Sequence, residues 1–283
     1  MSVTPIKAGI RPPIVDGLFY PAKPGALAAT IDDLLARSST PRGSSFAVIS
    51  PHAGYEYAGS VMAAAFQAVA LRPVRTAVLI GPVHRDPEER IYLPESDAFA
   101  TPLGDIPVDG EAAEHLLASS PVFQRNDIPH LEEHCLELQL PFLARLFPGL
   151  SIVPMLVGAT GAAATEALVR SLRLTFAARA RYTVFVMSAN MASYMTGQDT
   201  ESENAAMEAL LAGCDWKGVL GASAARRISA CGPAVIAALL ALAGPGCSAR
   251  ILARSSSRNA EAGADHTVHY AAVSVEGGDL SPA

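Results

Sequence analysis

Two histidines and a cysteine stand out as groups that could do chemistry. His52 lies in Ser50-Pro-His-Ala-Gly-Tyr55 and His84 in Gly81-Pro-Val-His84, each a few residues past a short apolar, strand-like run. Imidazole nitrogen is the commonest protein ligand for zinc, copper and iron, so two such histidines converge on one ion if their strands are neighbours. Spacing alone leaves the other outcome open, two unrelated loop histidines. Cys231 precedes Gly232-Pro233 and a predicted helix. Amide dipoles at a helix N-terminus favour a thiolate, which can ligate metal or act as a nucleophile. A small buried thiol is the alternative, because free cysteine is among the most buried residue types.

The densest polar cluster is His130-Leu-Glu-Glu-His134-Cys-Leu-Glu137. On one helix, positions i, i+4 and i+7 share a face, which would turn His130, His134 and Glu137 the same way. Pro129 and a helix expected to begin near Leu131 argue against a helical His130. The run also lacks the Glu that zinc proteases place directly after the first His. A capping or ligand-supporting role suits Glu133, His134 and Glu137 better than a metal site of their own. His115 reads as a surface residue, and His266 and His269, three apart, would face opposite sides of a strand. The absence of G-x-G-x-x-G, G-x-S-x-G and G-K-[ST] removes motif support for nucleotide binding and for serine hydrolysis.

The elements that must position these residues alternate in type. Apolar runs at 46–50, 76–80, 91–93, 151–157, 182–187, 249–253 and 266–275 read as strands. Segments 60–70, 110–119, 131–147, 162–177, 201–212 and 233–243 read as helices. Strands interleaved with helices predict one layered α/β domain over residues 1–283, with a central, mostly parallel or mixed sheet flanked by helices. Open sheets of this class place sites beyond the carboxyl ends of strands. Segments 50–55, 81–84 and 188–193 each leave a strand into polar residues at such an end.

Half of the 283 residues are hydrophobic and 17% are charged, which argues against intrinsic disorder. Lys and Arg number 21 against 27 Asp and Glu, a formal charge of -6, so no basic footprint for nucleic acid is present. The N-terminal stretch has no apolar core of the kind a signal peptide needs. The longest apolar run, 235–243, is far short of the ~20 residues that span a bilayer. Four widely spaced cysteines without a C-x-x-C pair read as reduced thiols. The expectation is a cytoplasmic protein with neither a membrane nor a nucleic-acid partner.

With these segments in view, the chain resembles the Memo family, known in bacteria as AmmeMemoRadiSam system protein B. The likeness rests on five motifs in order: Arg11-Pro-Pro-Ile-Val-Asp-Gly-Leu-Phe-Tyr-Pro21; Pro51-His-Ala-Gly-Tyr55 with Gly59-Ser60; Gly81-Pro-Val-His84; Glu133-His134 through Glu137 to Gln139-Leu-Pro-Phe142; and Cys231-Gly232. The resemblance implies a fold like that of class III extradiol dioxygenases, with His52, His84 and Cys231 as ligands to iron or copper ahead of zinc. It also implies a small-molecule pocket formed by Tyr55, His134, Glu137, Asn190, Ser193 and Tyr194, and a metal-dependent, dioxygenase-like oxidoreductase. Catalytic candidates are His134, Asn190 and Ser193.

One motif departs from the family. Where the family carries Ser-Ser-Asp and then His three residues on, this chain has Ser188-Ala-Asn190-Met-Ala-Ser193-Tyr194, and Arg85 stands where a second His is frequent. Asn190 cannot carry negative charge, and Ser193 lacks a base with pKa near ~6.5. A non-enzymatic metal- or peptide-binding protein with a decayed base motif, or a metal-dependent hydrolase, are the alternatives.

Overall fold

The computed structural model describes residues 9–84, 88–195, 199–257, 267–277 and 280. In chain order the first half holds β1 (Ile10–Arg11), α1 (Pro24–Arg37), β2 (Ala47–Ser50), α2 (Tyr55–Gln67), β3 (Thr76–Pro82), β4 (Ile91–Leu93), β5 (Ala98–Thr101), β6 (Gly104–Pro107), α3 (Gly110–Ser119), β7 (Phe123–Arg125), α4 (Asp127–Glu132) and α5 (Leu140–Leu146). The second half holds β8 (Ser151–Val157), α6 (Ala162–Phe176), β9 (Thr183–Ser188), β10 (Ala192–Met195), α7 (Asp199–Ala212), α8 (Trp216–Ala224), α9 (Pro233–Ala243), β11 (Ser248–Ser256) and β12 (Thr267–Glu276).

Nine strands form one mixed sheet in the order β10-β12-β2-β9-β3-β8-β4-β7, with β11 paired to β12. Its middle, β2-β9-β3-β8, is parallel throughout. These strands read as unbroken apolar runs because both faces are covered. Ala47, Ile49, Val78, Ile80, Phe185 and Met187 pack on one side with α3, α6, α8 and α9. Val48, Ala77, Leu79, Val184 and Val186 pack on the other with α1, α2 and α5. A smaller sheet, β1-β5-β6, lies outside this one.

Helix α9 is apolar all round because it is enclosed, packed against α6, α8 and the sheet. Pro233 starts it and Gly244, at φ +76°, ends it. Among the described residues, no helix is long and apolar enough to cross a membrane.

Three expectations need correction. The helix predicted over 131–147 is broken: α4 ends at Glu132, Glu133 is extended at φ -98° and ψ 131°, and a 3-10 turn (Glu137–Gln139) leads into α5. His130 therefore lies in a helix, against expectation, while His134 and Glu137 do not share that helix with it. The third concerns the thiols. Cys214 and Cys247 form a disulfide, with Cα atoms 6.2 Å apart and 33 residues between them in sequence; Cys135 and Cys231 are free. The turn after α7 and the turn before β11 meet only in the folded chain, which linear spacing does not reveal. Without four reduced thiols, the cysteine argument for a reducing compartment no longer holds.

Candidate metal centre

Strand order brings the three polar segments to one edge of the sheet. Strand β9 lies between β2 and β3, and all three run parallel. His52 follows β2 by two residues, His84 follows β3 by two, and Asn190 follows β9 by two. The two histidine-bearing strands are thus not neighbours, as simple convergence would have required. Two inter-strand spacings amount to ~9.5 Å. The rings nevertheless stand 5.3 Å apart between centroids, leaning toward each other over the end of β9.

Ser188 fixes which nitrogen His52 offers. Its hydroxyl donates to the Cys135 carbonyl at 2.8 Å, so toward His52 Nδ1, also at 2.8 Å, it can only accept. Nδ1 therefore carries the proton and Nε2 is left as a bare lone pair, 3.2 Å from Cys231 Sγ. Burial, followed by the neighbouring His84 and His134, pushes the His52 pKa well below its usual value, so the ring is neutral. Gln139 Nε2 donates to the Pro51 carbonyl at 2.9 Å and to Ser188 Oγ at 3.3 Å, steadying the same corner.

Glu133 does the equivalent for His84. Its carboxylate accepts from His84 backbone N and from Nδ1, each at 2.7 Å, which leaves Nε2 toward Cys231. Burial opposes ionisation of Glu133, but these hydrogen bonds outweigh it and hold its pKa below the usual value. The extended backbone at Glu133 makes this reach, which explains why the helix breaks there. Gly81 permits the approach: a Cβ at this position would lie 2.6 Å from Cys135 Sγ and 2.8 Å from Leu136 Cδ2.

Cys231 sits against the turn after β9, its Sγ accepting from Asn190 N at 3.0 Å. Asn190 Oδ1 in turn accepts from His52 N at 3.1 Å. An amide oxygen can accept the same hydrogen bond as a carboxylate, though more weakly, so Asn190 keeps the geometry of the corner without its charge. One ligand atom each from His52, His84 and Cys231 lies within 4.8 Å of the others.

The donor set suits a cation. Hydrogen bonds to Cys231 and then to Glu133 raise the His84 pKa to about 10, so positive charge is favoured at this corner. A metal ion answers the same demand. The 3.2 Å between Sγ and Nε2 compares with about 3.5 Å for a sulfur and a nitrogen on one tetrahedral ion.

Around this corner opens a cavity of about 1400 Å³ that includes His52, His84, His134, Asn190 and Cys231 in its wall. The His134 ring is parallel to that of His84 at 5.9 Å and edge-on to Phe19 at 5.2 Å. Burial first, and His84 next, lower its pKa, leaving a neutral imidazole facing the cavity.

Tyr55 and Glu137, expected in the pocket, lie behind its wall. Tyr55 is buried in the core and donates to the Leu138 carbonyl at 2.9 Å. Glu137 is fully buried and accepts from Arg11 Nη1 at 2.6 Å, from Tyr20 Oη at 2.8 Å, and from the backbone of Ile14 and Val15. It anchors the N-terminal segment that carries Leu18 and Phe19 into the cavity wall. His130 is likewise buried, its Nε2 donating to the Tyr92 carbonyl at 3.1 Å. Ser193 and Tyr194 fall within β10, with side chains outside the described residues, as are Arg85 and His266. The sequence reading missed the tautomer-setting part of Ser188, although it had marked segment 188–193 as a strand end. It also missed the wall formed by Phe19.

Comparisons with known proteins agree with the likeness read from the motifs. The family model described as Memo-like protein matches residues 11–274. A MEMO1 family protein of Aeropyrum pernix is 30% identical over 279 residues, covering 94% of this chain and 99% of the relative. One from Desulfurococcus amylolyticus is 28% identical over 276 residues, with 93% and 98% covered. One from Thermotoga neapolitana is 37% identical over 165 residues, 52% of this chain and 57% of the relative.

Proposed function

This chain belongs to the Memo family, and on that premise we propose that it is a metal-dependent, dioxygenase-like oxidoreductase acting on a small organic substrate. His52, His84 and Cys231 would hold iron or copper. The observation that carries this reading is the pair of Nδ1 partners: Ser188 and Glu133 each bind Nδ1, so both rings direct Nε2 toward the Cys231 sulfur. Ligating histidines characteristically have such partners on the second nitrogen. A thiolate also draws the site toward copper, zinc or thiolate-bound iron, and iron and copper suit oxidation.

Bound there, iron or copper supplies electron exchange with dioxygen. The chain supplies the rest. The cavity orients the substrate over the three ligands, and Phe19 shields one side of His134 from water. His134, neutral and facing the cavity, takes the substrate's proton at its free ring nitrogen. That role replaces the base which the family's Asp and His would offer at the positions of Asn190 and Ser193. Small-molecule oxidation is favoured over nucleic-acid or membrane partners by the acidic charge balance and by the cavity over the three ligands.

The second reading is a metal-binding protein without turnover, which the change to Asn190 and Ser193 favours. Oxygen uptake by iron- or copper-loaded protein, with catechols and other reduced aromatics, separates the two. Uptake that is abolished in His134→Ala and Cys231→Ala supports the oxidoreductase. No uptake with either metal across such a panel refutes it.

A further inference from the structure

We propose that the cavity over His52, His84 and Cys231 selects an aromatic cation: a ring-bearing amine in its ammonium form. This rests on the oxidoreductase reading only for which end of the ligand reacts, not for its charge or shape. Phe19, Tyr57, Tyr92 and Tyr270 are the aromatic residues of the walls. Such walls accept a planar apolar body, and their ring faces attract cations.

The charges point the same way. Besides Glu133, which is engaged by His84, the carboxylates in the lining are Glu56 and Glu132, both exposed. Neither has an ion-pair partner among the described residues, and no Lys or Arg among them lines the cavity. Arg11 is not available either, since its guanidinium is bonded to Glu137 and to the carbonyls of His130 and Glu133. An entering carboxylate or phosphate would meet two negative groups, against the one positive charge favoured on His84, which Glu133 already pairs. An ammonium group meets two carboxylates that have no ion-pair partner among the described residues. A cleft with an excess of one sign of charge also concentrates ligands of the other.

Calorimetric titration of the full-length protein with three matched rings tests this: tyramine (cationic), 4-ethylphenol (neutral) and 3-(4-hydroxyphenyl)propionate (anionic), at pH 7 and low salt. Tyramine should bind tightest and the propionate weakest. The double variant Glu56→Gln, Glu132→Gln should weaken tyramine about fivefold and leave 4-ethylphenol unchanged. Because both positions are exposed, these changes leave the core untouched, and Glu132→Lys should reverse the ranking of the charged pair.

Propionate binding as tight as tyramine overturns the proposal, as does a double variant that binds tyramine like the wild type, or no binding by any of the three at millimolar concentration. Metal content measured on the same samples keeps the two readings apart. The predicted ranking in protein that takes up no metal would refute the metal reading and uphold this one. An inverted ranking in metal-loaded protein would do the opposite.

Discussion

Ser188 gives its proton to the Cys135 carbonyl, and that one commitment decides the tautomer of His52. Removing the hydroxyl in Ser188→Ala frees the ring to place its proton on either nitrogen. Metal affinity, measured by competition with a chelator, should then fall about 10- to 100-fold, and Ser188→Thr should recover most of it. A variant that loses stability but keeps wild-type affinity would contradict the tautomer argument. His130 makes a separate prediction about pH. Burial lowers its pKa from 6.5 to about 4, so the unfolded chain binds a proton below ~6.5 that the native ring refuses until about pH 4. Stability should be unaffected by this group above pH ~6.5 and should decline by up to ~3 kcal/mol as pH falls to 4. His130→Asn, which retains a donor for the Tyr92 carbonyl, should flatten that part of the curve in denaturant titrations. His52, His84 and Cys231 were legible as candidates because their types are rare and their positions follow strand ends. The part played by Ser188 was not, because it depends on a carbonyl 53 residues away in sequence.

At the scale of elements, the segment between α4 and α5 shows where periodicity misleads. Leu136, Leu140 and Leu143 have helical spacing, yet the chain is extended at Glu133 and tightens into a 3-10 turn at 137–139. Two hydrogen bonds from His84 to Glu133 outweigh the local helical preference, and that competition is tertiary. Glu137, three residues before α5, is a pocket residue by the family resemblance and a capping or supporting residue by its own cluster; in the fold it serves as an anchor. Its buried contact with Arg11 secures the segment carrying Phe19 beside His134. Glu137→Ala leaves the Arg11 guanidinium buried without its counter-charge, which should cost about 3–5 kcal/mol. Thermal or urea denaturation measures that loss. A change below ~1 kcal/mol would show that the N-terminal segment is held by something else. By contrast, the parallel strands β3, β8 and β9 were readable almost to their ends, since strands covered on both faces show up as uninterrupted apolar runs.

The whole molecule joins distant parts of the chain at one sheet edge, and this is where sequence reading stops. The alternation of elements gives an α/β layered fold, but the insertion of β9 between β2 and β3 is a long-range fact with no local signal. So is the Cys214–Cys247 disulfide, which closes a loop containing α8, Cys231 and α9. Chain entropy for a loop of 33 residues amounts to about 3.7 kcal/mol, so reduction, or Cys214→Ser with Cys247→Ser, should lower stability by roughly 3–4 kcal/mol. Denaturant titrations with and without a dithiol reductant measure this, and equal midpoints would contradict it.

The central claim is that His52, His84 and Cys231 share one ion. X-ray absorption at the metal edge of protein prepared without chelators tests it most directly. The account predicts about one equivalent of metal per chain, with one sulfur near ~2.3 Å and imidazole nitrogens near ~2.0–2.1 Å. In Cys231→Ser the sulfur scatterer should disappear. Metal that carries no sulfur neighbour in the wild type, or one that persists in Cys231→Ser, would contradict it.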